Sequence, residues 1–320
     1  MGTALAQVIA SNGHKVRAWS IETDVLEEMR ERRLNSKYLA GVELHPSIEA
    51  ASEMGKAIEG ASLIIVSVPS QIVATLASDI APHLRAGQIV LNVAKGLQAE
   101  THKRLSEVLT SELPPALHKA VGSMGGPAIA IEMARGVPMA VIAGFEDADA
   151  RLKVQSLLQN ESLKVETTDD LQGLELCSTL KNVYAIALGM CDGMGFGMNT
   201  KAFVGTVAVE EMARICIALG GRRETVYGLA GLGDLLTTGY SQHSRNRTLG
   251  DKLGSGTDWQ TFLREKTVEG VAACRSISEL VQGEGMRLAL LGTIYGVLFE
   301  GRHAQDEMQG FLRDFSYSSG

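Results

Sequence analysis

The chain has 320 residues, which on a prior of about 150 residues per domain predicts two domains. Apolar residues make up 45% and charged residues 21%, a globular balance that argues against disorder and coiled coil. Lys and Arg number 30 against 37 Asp and Glu, a formal net charge of −7 with no basic block. We therefore expect neither a nucleic-acid partner nor binding to an anionic membrane surface. The charge is compatible with a small anionic ligand that is held by a few local cations.

The sequence also argues against membrane and disulfide-rich classes. Its longest apolar run, 288–299, is shorter than the ~20 residues that a membrane span needs, and polar residues interrupt any secretory h-region after Met1. Four cysteines in apolar contexts favour buried free thiols over a zinc site or disulfides; they are Cys177, Cys191, Cys216 and Cys274. We expect a cytoplasmic protein with no metal.

Helix and strand patterns alternate over the first part of the chain. The patterns predict helices over 2–12, 23–34, 71–84 and 100–109, and strands over 14–19, 62–68, 88–93, 119–123 and 139–143. The strands are nearly continuous apolar runs, as in a parallel sheet covered on both faces. This alternation predicts an α/β domain with a doubly wound (Rossmann-like) parallel sheet over residues 1–165.

The pattern changes to almost all helix in the second part of the chain. Helical periodicity predicts helices over 174–190, 200–219, 258–265, 270–282 and 288–299. We therefore predict an all-helical domain over residues 166–320. Ligands of doubly wound sheets bind at the carboxyl ends of the strands, so we expect the active site there, between the two domains.

The first residues resemble the last part of a dinucleotide-binding fingerprint. Gly2 and Thr3 open a helix whose N-terminus would face a pyrophosphate, although Gly2 as a plain helix start is the alternative. A full fingerprint begins with a strand and two further glycines, so we expect the sheet to lack its first strand. After the next strand, Glu22 either binds a ribose hydroxyl or is a surface residue, which leaves NAD and NADP both open.

Lys181 is the most informative single residue. Its helix is apolar on almost every side, and a helix of this kind is buried. A buried lysine is costly unless it is paired, and desolvation lowers its pKa toward the range useful in general acid–base catalysis. The alternative is a lysine that extends from a partly exposed face to water; we favour the catalytic interpretation.

Further candidates lie in loops that have an alternative, purely structural explanation. Lys95 follows the strand over 88–93 and points at the ligand crevice or into solvent. Gly126 allows close backbone approach to a ligand or simply makes a turn. Asp234, with Thr238 after it, is a site residue or a helix N-cap. The run 244–247, Ser-Arg-Asn-Arg, suits a phosphate or lies in a solvated loop.

Taken in order, these stretches resemble the NAD(P)-dependent glycerol-3-phosphate dehydrogenase family over essentially the whole chain. The segment from 181 to 202 is the most specific of them. The matching segments are GTALA (2–6), VPS (68–70), NVAKGL (92–97), GGPAIA (125–130), KNVYAIALGMCDGMGFGMNTKA (181–202), GLAGLGDLLTT (228–238), SRNR (244–247) and VEGV (268–271).

The resemblance implies an oxidoreductase of glycerophospholipid metabolism. It would move a hydride between C2 of sn-glycerol 3-phosphate and the nicotinamide of NAD or NADP, interconverting the substrate with dihydroxyacetone phosphate. The partner implied is therefore a small phosphate ester, and a homodimer is expected.

The resemblance also implies residue roles. Lys181 would be the general acid/base, Lys95 would polarise the reacting oxygen, and Asn182, Asp234 and Thr238 would orient this group. Arg245 and Asn246 would clamp the phosphate. The substrate contacts implied are Lys95, Gly126, Asp234, Ser244, Arg245 and Asn246, and the cofactor contacts are Gly2, Thr3, Lys95, Ala130, Arg245 and Glu269.

Some positions depart from the family pattern. Ala128 and Ile129 replace a hydroxyl residue and a Phe, and Ile21 stands where Arg or His is common; these changes bear on cofactor affinity more than on Lys181. Two alternatives stay open: a non-catalytic metabolite-binding descendant, and a hydroxyacid dehydrogenase of the same superfamily. The Ser-Arg-Asn-Arg run favours a phosphate ester over a phosphate-free hydroxyacid.

Overall fold

The structure, a computed structural model, describes residues 1–316 and contains two compact units. The sheet unit comprises residues 1–94 and 103–171, and the helical unit comprises residues 95–102 and the described residues from 172 on. The predicted order of a Rossmann-like sheet followed by helices is confirmed. The short segment 95–102 interrupts the sheet unit in the chain but belongs to the helical unit.

The sheet unit alternates strands and helices, as the sequence predicts. Its strands are β1 (Val16–Ala18), β2 (Ile48–Ala50), β3 (Leu63–Val66), β4 (Gln88–Asn92), β5 (His118–Gly125), β6 (Met139–Gly144) and β7 (Leu163–Thr168). Its helices are α1 (Gly2–Ser11), α2 (Thr23–Glu31), α3 (Met54–Ile58), α4 (Val73–Ile80), α5 (Leu105–Glu112), α6 (Ala130–Ala134) and α7 (Ala148–Leu158).

The described strands form two sheets. Strands β1 and β2 pair in parallel, and a second sheet has the order β3-β4-β5-β6-β7. Its pairs are parallel except β5–β6, which is antiparallel. The parallel sheet that the sequence predicts therefore contains an antiparallel pair here. The connection from β5 to β6 contains only the five-residue helix α6, and the chain reverses there instead of making a parallel crossover. That the sheet lacks a first strand ahead of α1 stays a prediction.

Strand β4 shows that helices cover the sheet on both faces. All five of its residues are buried. Ile89 and Leu91 belong to a core cluster that includes residues of α1 and α7, whereas Val90 belongs to a cluster with α4 and α5. Successive side chains of a strand point to opposite faces, so helices cover both sides of this sheet. The continuous apolar runs in the sequence have this cause.

The helical unit is built around one long buried helix. Its helices are α8 (Leu171–Gly193), α9 (Met198–Ala218), α10 (Arg223–Tyr227), α11 (Asp234–Tyr240), α12 (Arg245–Ser255), α13 (Trp259–Glu265), α14 (Glu269–Gly283), α15 (Ala289–Phe299) and α16 (Ala304–Asp314). All four cysteines lie in these helices as buried free thiols, as predicted. Among residues 1–316, no helix has the length and apolar character that a membrane span requires.

Glycines let α8 and α12 approach closely. A Cβ atom on Gly189 would lie 2.0 Å from the carbonyl oxygen of Arg247, and one on Gly250 would lie 2.0 Å from that of Ile186. Gly193 and Gly254, each four residues further along its helix, face the partner backbone in the same way. Contact between the two backbones therefore fixes the spacing of these helices.

We expect Gly250→Ala to destabilise the helical unit, because the new methyl group must push α12 away from α8. Overpacking of this kind costs about 1–3 kcal/mol, which urea unfolding measures as a lower midpoint. Gly283→Ala is the matched control, since nothing lies within 4 Å of a Cβ there. Equal midpoints for the two variants would contradict the close approach.

Candidate active site

Lys181 is buried in α8 and bound to two groups of α11. Its ammonium donates hydrogen bonds to Asp234 Oδ1 and to Thr238 Oγ1, both at 2.7 Å. The side chains of Lys181 and Asp234 are only 7% and 2% exposed. The predicted burial of Lys181 is confirmed, and extension of its side chain into solvent is excluded.

Lys95 binds the other oxygen of the same carboxylate. Its ammonium donates to Asp234 Oδ2 at 2.6 Å, and its side chain is 19% exposed. The segment 95–102 that carries it also contacts α14, because His102 Nε2 lies 2.9 Å from Glu279 Oε2. One buried carboxylate thus holds two ammonium groups that are far apart in the sequence.

The pKa values of the three groups follow from this sharing. Burial and the charge of Lys95 lower the pKa of Lys181 to about 8, against the opposing effect of Asp234. Burial alone would lower the pKa of Lys95 and raise that of Asp234. The ion pairs outweigh burial in both cases, so the pKa of Lys95 lies above its ordinary value and that of Asp234 below it. Lys181 is therefore the group of the three that exchanges a proton near neutral pH.

The hydrogen bonds of Lys181 leave one direction free for a reacting oxygen. An ammonium group has three N–H donors, and two of them point to Asp234 and Thr238. The third has no acceptor among residues 1–316. When Lys181 is neutral, the same two partners accept its remaining N–H bonds, and its lone pair takes the third direction. The group can thus give or take a proton along one line.

A second polar chain connects α8, α12 and α14. The backbone N–H of Gly270 donates to Asn246 Oδ1, and Asn246 Nδ2 donates to Asn182 Oδ1, both at 2.9 Å. Asn182 Nδ2 donates to Glu269 Oε2 at 3.3 Å. Since a backbone N–H can only donate, it fixes the orientation of both amides. Asn246 keeps one N–H that no acceptor in the described residues uses.

The side chain of Asn182 makes no hydrogen bond to the side chain of Lys181, although it is the next residue of α8. Its amide bonds Asn246, Glu269 and the carbonyl oxygen of Ser178 instead. In the structure Asn182 holds Asn246 in place, and an orienting effect on Lys181 stays a prediction.

Arg245 lies at the first turn of α12 with an exposed side chain. Ser244 caps this helix by accepting a hydrogen bond from Arg247 N at 3.2 Å. The Arg245 guanidinium makes no side-chain hydrogen bond within the described part of the chain. It is a free cation next to the fixed amide of Asn246, an arrangement that suits an anion with several oxygens.

The remaining candidates belong to the sheet unit. Gly2 N donates to Ser67 Oγ at 2.9 Å, and Thr3 Oγ1 accepts from Asn35 at 2.8 Å. Helix α1 has no acidic residue in its first turn, so its N-terminus fits an anion such as a pyrophosphate. Gly126 has φ +101°, a conformation that favours glycine. Ala130 is the first residue of α6.

Glu22 follows β1 and pairs with Lys37 at 2.5 Å. The hydrogen bonds that the Glu22 carboxylate accepts from Lys37 and from the Tyr38 hydroxyl lower its pKa. Ile21 beside it is 85% exposed. An acid and a base thus stand together at this strand end, so the choice between NAD and NADP stays open. No group of three or more metal-ligating side chains occurs in residues 1–316.

The glycines that bring the site helices together were not among the residues predicted for the site. Gly189 with Gly193, and Gly250 with Gly254, repeat at a spacing of four residues, which places each pair on one helix face. Gly270 is similar, because a Cβ there would lie 2.5 Å from the carbonyl oxygen of Asn182. The four-residue repeat of glycine in these two helices was the available signal.

Two family models match the chain. Residues 1–151 match the NAD-dependent glycerol-3-phosphate dehydrogenase N-terminus, and residues 170–309 match the C-terminus of the same family. A glycerol-3-phosphate dehydrogenase [NAD(P)+] of Clostridium perfringens is 34% identical over 95% of this chain and 92% of its own length. One of Staphylococcus saprophyticus is 37% identical over 97% and 94%.

A solved structure is similar along the whole chain. The crystal structure of glycerol-3-phosphate dehydrogenase from Coxiella burnetii superposes with a TM-score of 0.90 and 32% sequence identity. The match covers 97% of this chain and 95% of that one.

We expect Asp234→Asn to destabilise the protein, because it leaves two clustered ammonium groups without their carboxylate. Removing one partner of a buried ion pair costs about 3–5 kcal/mol, which urea unfolding at pH 7 measures. Thr238→Val removes only a hydroxyl next to Lys181, and a single hydrogen bond contributes about 1 kcal/mol. A smaller loss in Asp234→Asn than in Thr238→Val would contradict the shared ion pair.

Proposed function

The chain belongs to the NAD-dependent glycerol-3-phosphate dehydrogenase family, and we propose that it interconverts sn-glycerol 3-phosphate and dihydroxyacetone phosphate with NAD or NADP. The observation that carries this proposal is the arrangement of Lys181, Asp234 and Lys95. It provides a buried proton carrier whose pKa lies near 8 and whose free direction is fixed by its partners.

Lys181 is the general acid/base of the proposal. In oxidation, neutral Lys181 takes the proton of the C2 hydroxyl while a hydride leaves C2, which gives the ketone and an ammonium. In reduction, the ammonium returns that proton to the carbonyl oxygen as C2 gains a hydride. Asp234 stabilises the charged form, and Lys95 has donors left to polarise the same oxygen.

Residues of the first turn of α12 bind the phosphate in this proposal. The exposed guanidinium of Arg245 supplies a charge-assisted fork, and Asn246 offers its unused N–H. Ser244 caps the helix and so holds the turn in place. Gly126 is assigned to the substrate on the family resemblance alone.

The proposed cofactor supplies or accepts the hydride when it is bound. The N-terminus of α1, with Gly2 and Thr3, would hold its pyrophosphate, because no acidic side chain opposes an anion there. Ala130, Lys95, Arg245 and Glu269 are further cofactor contacts on the family resemblance. A homodimer stays a prediction.

We expect Lys181→Ala to lower kcat by at least about 100-fold, since it removes the general acid/base. In the unsubstituted enzyme, oxidation should speed up with pH through about 8 as Lys181 loses its proton, and reduction should slow down over the same range. Both pH dependences should disappear in the variant. Initial rates of NADH formation and consumption measure them.

Lys266→Ala, which replaces an exposed lysine after α13, is the control for Lys181→Ala. It should leave kcat and the pH dependence unchanged. Near-normal turnover of Lys181→Ala, with its cofactor affinity intact, would remove Lys181 from the reaction. No turnover in the unsubstituted protein despite binding of the phosphate ester would favour a non-catalytic binding protein.

Arg245→Ala should raise the KM for dihydroxyacetone phosphate by about tenfold or more, because a charge-assisted contact to the phosphate is lost. Dihydroxyacetone, which lacks the phosphate, should react poorly and be insensitive to this change. Arg264→Ala, an exposed arginine of α13, is the control. An unchanged KM would contradict the phosphate role, and equal activity on a phosphate-free hydroxyacid would favour a hydroxyacid dehydrogenase.

A further inference from the structure

Asp192, in the last turn of α8, holds two cations from two other helices. Lys201 of α9 donates to its Oδ1 at 2.6 Å. Arg247 of α12 contacts Oδ2 with both Nε, at 2.7 Å, and its terminal nitrogen, at 2.6 Å. None of these three residues contacts Lys181 or Asp234. The role proposed for Lys181 therefore does not explain why they lie together.

The two cations are not equivalent. The Lys201 side chain is 9% exposed, and its ammonium also lies 4.6 Å from the centre of the Tyr240 ring. Lys201 extends from α9, which carries no candidate site residue. Arg247 extends from the first turn of α12, immediately after Arg245 and Asn246, and its guanidinium is fixed by two contacts to one oxygen.

The first turn of α12 is therefore held from two sides. On one side the amide of Asn246 is fixed by Asn182 and Gly270. On the other side Arg247 is fixed by Asp192, while its own backbone N–H is bound by the Ser244 cap. Arg245 directly precedes these two residues in the same turn, and its side chain makes no hydrogen bond within residues 1–316.

We propose that the Asp192–Arg247 ion pair is a positioning element for the proposed function: it holds the first turn of α12 so that Arg245 meets the substrate phosphate. This rests on the phosphate role of Arg245. Asp192 and Arg247 act through the geometry of that turn and do not touch the substrate. Since a small displacement of a binding group weakens its contact steeply, the effect falls on substrate affinity.

The variant that tests this is Asp192→Asn, which keeps the size of the side chain and removes its charge. We expect the KM for dihydroxyacetone phosphate to rise about tenfold, within the usual range for residues of one network. The kcat and its pH dependence should be nearly unchanged, because Lys181 and its partners are untouched. Steady-state kinetics across pH separate these effects from a general loss of structure.

Lys201→Met is the matched control, because it removes a partner of the same carboxylate on a helix without site residues. It should lower the melting temperature and leave the KM unchanged. Arg247→Lys, which keeps the charge but loses the fork, should fold normally and show an intermediate KM. If Asp192→Asn fails to fold, the KM of Arg247→Lys tests the proposal instead. A KM of Arg247→Lys equal to that of the unsubstituted enzyme overturns the proposal.

A double-mutant cycle separates this proposal from the proposed function. If Asp192 acts through Arg245, adding Asp192→Asn to Arg245→Ala should raise the KM no further. If Arg245→Ala raises the KM and Asp192→Asn does not, the positioning role fails while the phosphate role stands. If Arg245→Ala has no effect, the phosphate role itself fails.

A larger effect of Arg247→Gln than of Asp192→Asn on the KM would make Arg247 a direct phosphate ligand and overturn the proposal.

Discussion

The carboxylate of Asp234, shared between Lys95 and Lys181, is the interaction on which the rest of the site depends. Two positive charges and one negative charge leave a net positive charge in a place that is nearly closed to water. In a medium of low polarity such an excess is costly, and it is relieved when one ammonium loses its proton. Lys181 is the more deeply buried of the two and is the one whose pKa falls. The same arrangement that lowers this pKa also favours an anionic substrate.

The packing of α8 against α12 sets a second constraint. Asparagine has a short side chain, so Asn182 and Asn246 can meet only if their helices lie unusually close together. Glycines provide this closeness, because Gly189 and Gly250 bring each backbone into contact with the other. Any larger side chain would separate the two amides and break the chain that ends at Glu269. The glycine content of this sequence is in this respect a requirement of the polar network rather than a sign of flexibility.

Local sequence pattern was sufficient for the helices and strands that it predicted and for the burial of Lys181. A continuous apolar run, or a helix that is apolar on all sides, itself indicates that the segment is surrounded by protein. Local pattern was insufficient where the outcome depends on distant residues. Strand β2 has only three residues and no periodicity to detect, and the reversed direction of β6 is decided by the connection after β5. Asn182 was expected beside Lys181, but its partner Asn246 lies 64 residues away in the chain. The pairing of Lys95 with Asp234 spans 139 residues, and no local pattern contains it.

The polarity of the site follows from one backbone group. Because the N–H of Gly270 must donate, Asn246 accepts with its oxygen and donates with its nitrogen, and Asn182 then does the same toward Glu269. What this chain leaves unused is therefore a donor, the second N–H of Asn246. Charged Lys95, Lys181 and Arg245 likewise have only donors to offer. A ligand that satisfies all of these groups must have only hydrogen-bond acceptors at one end. At the other end it must have an oxygen that can gain or lose a proton. A phosphate ester with a neighbouring hydroxyl or carbonyl group meets both conditions, and its phosphate offers three non-bridging oxygens to the donors of the α12 turn, whereas the carboxylate of a hydroxyacid offers two.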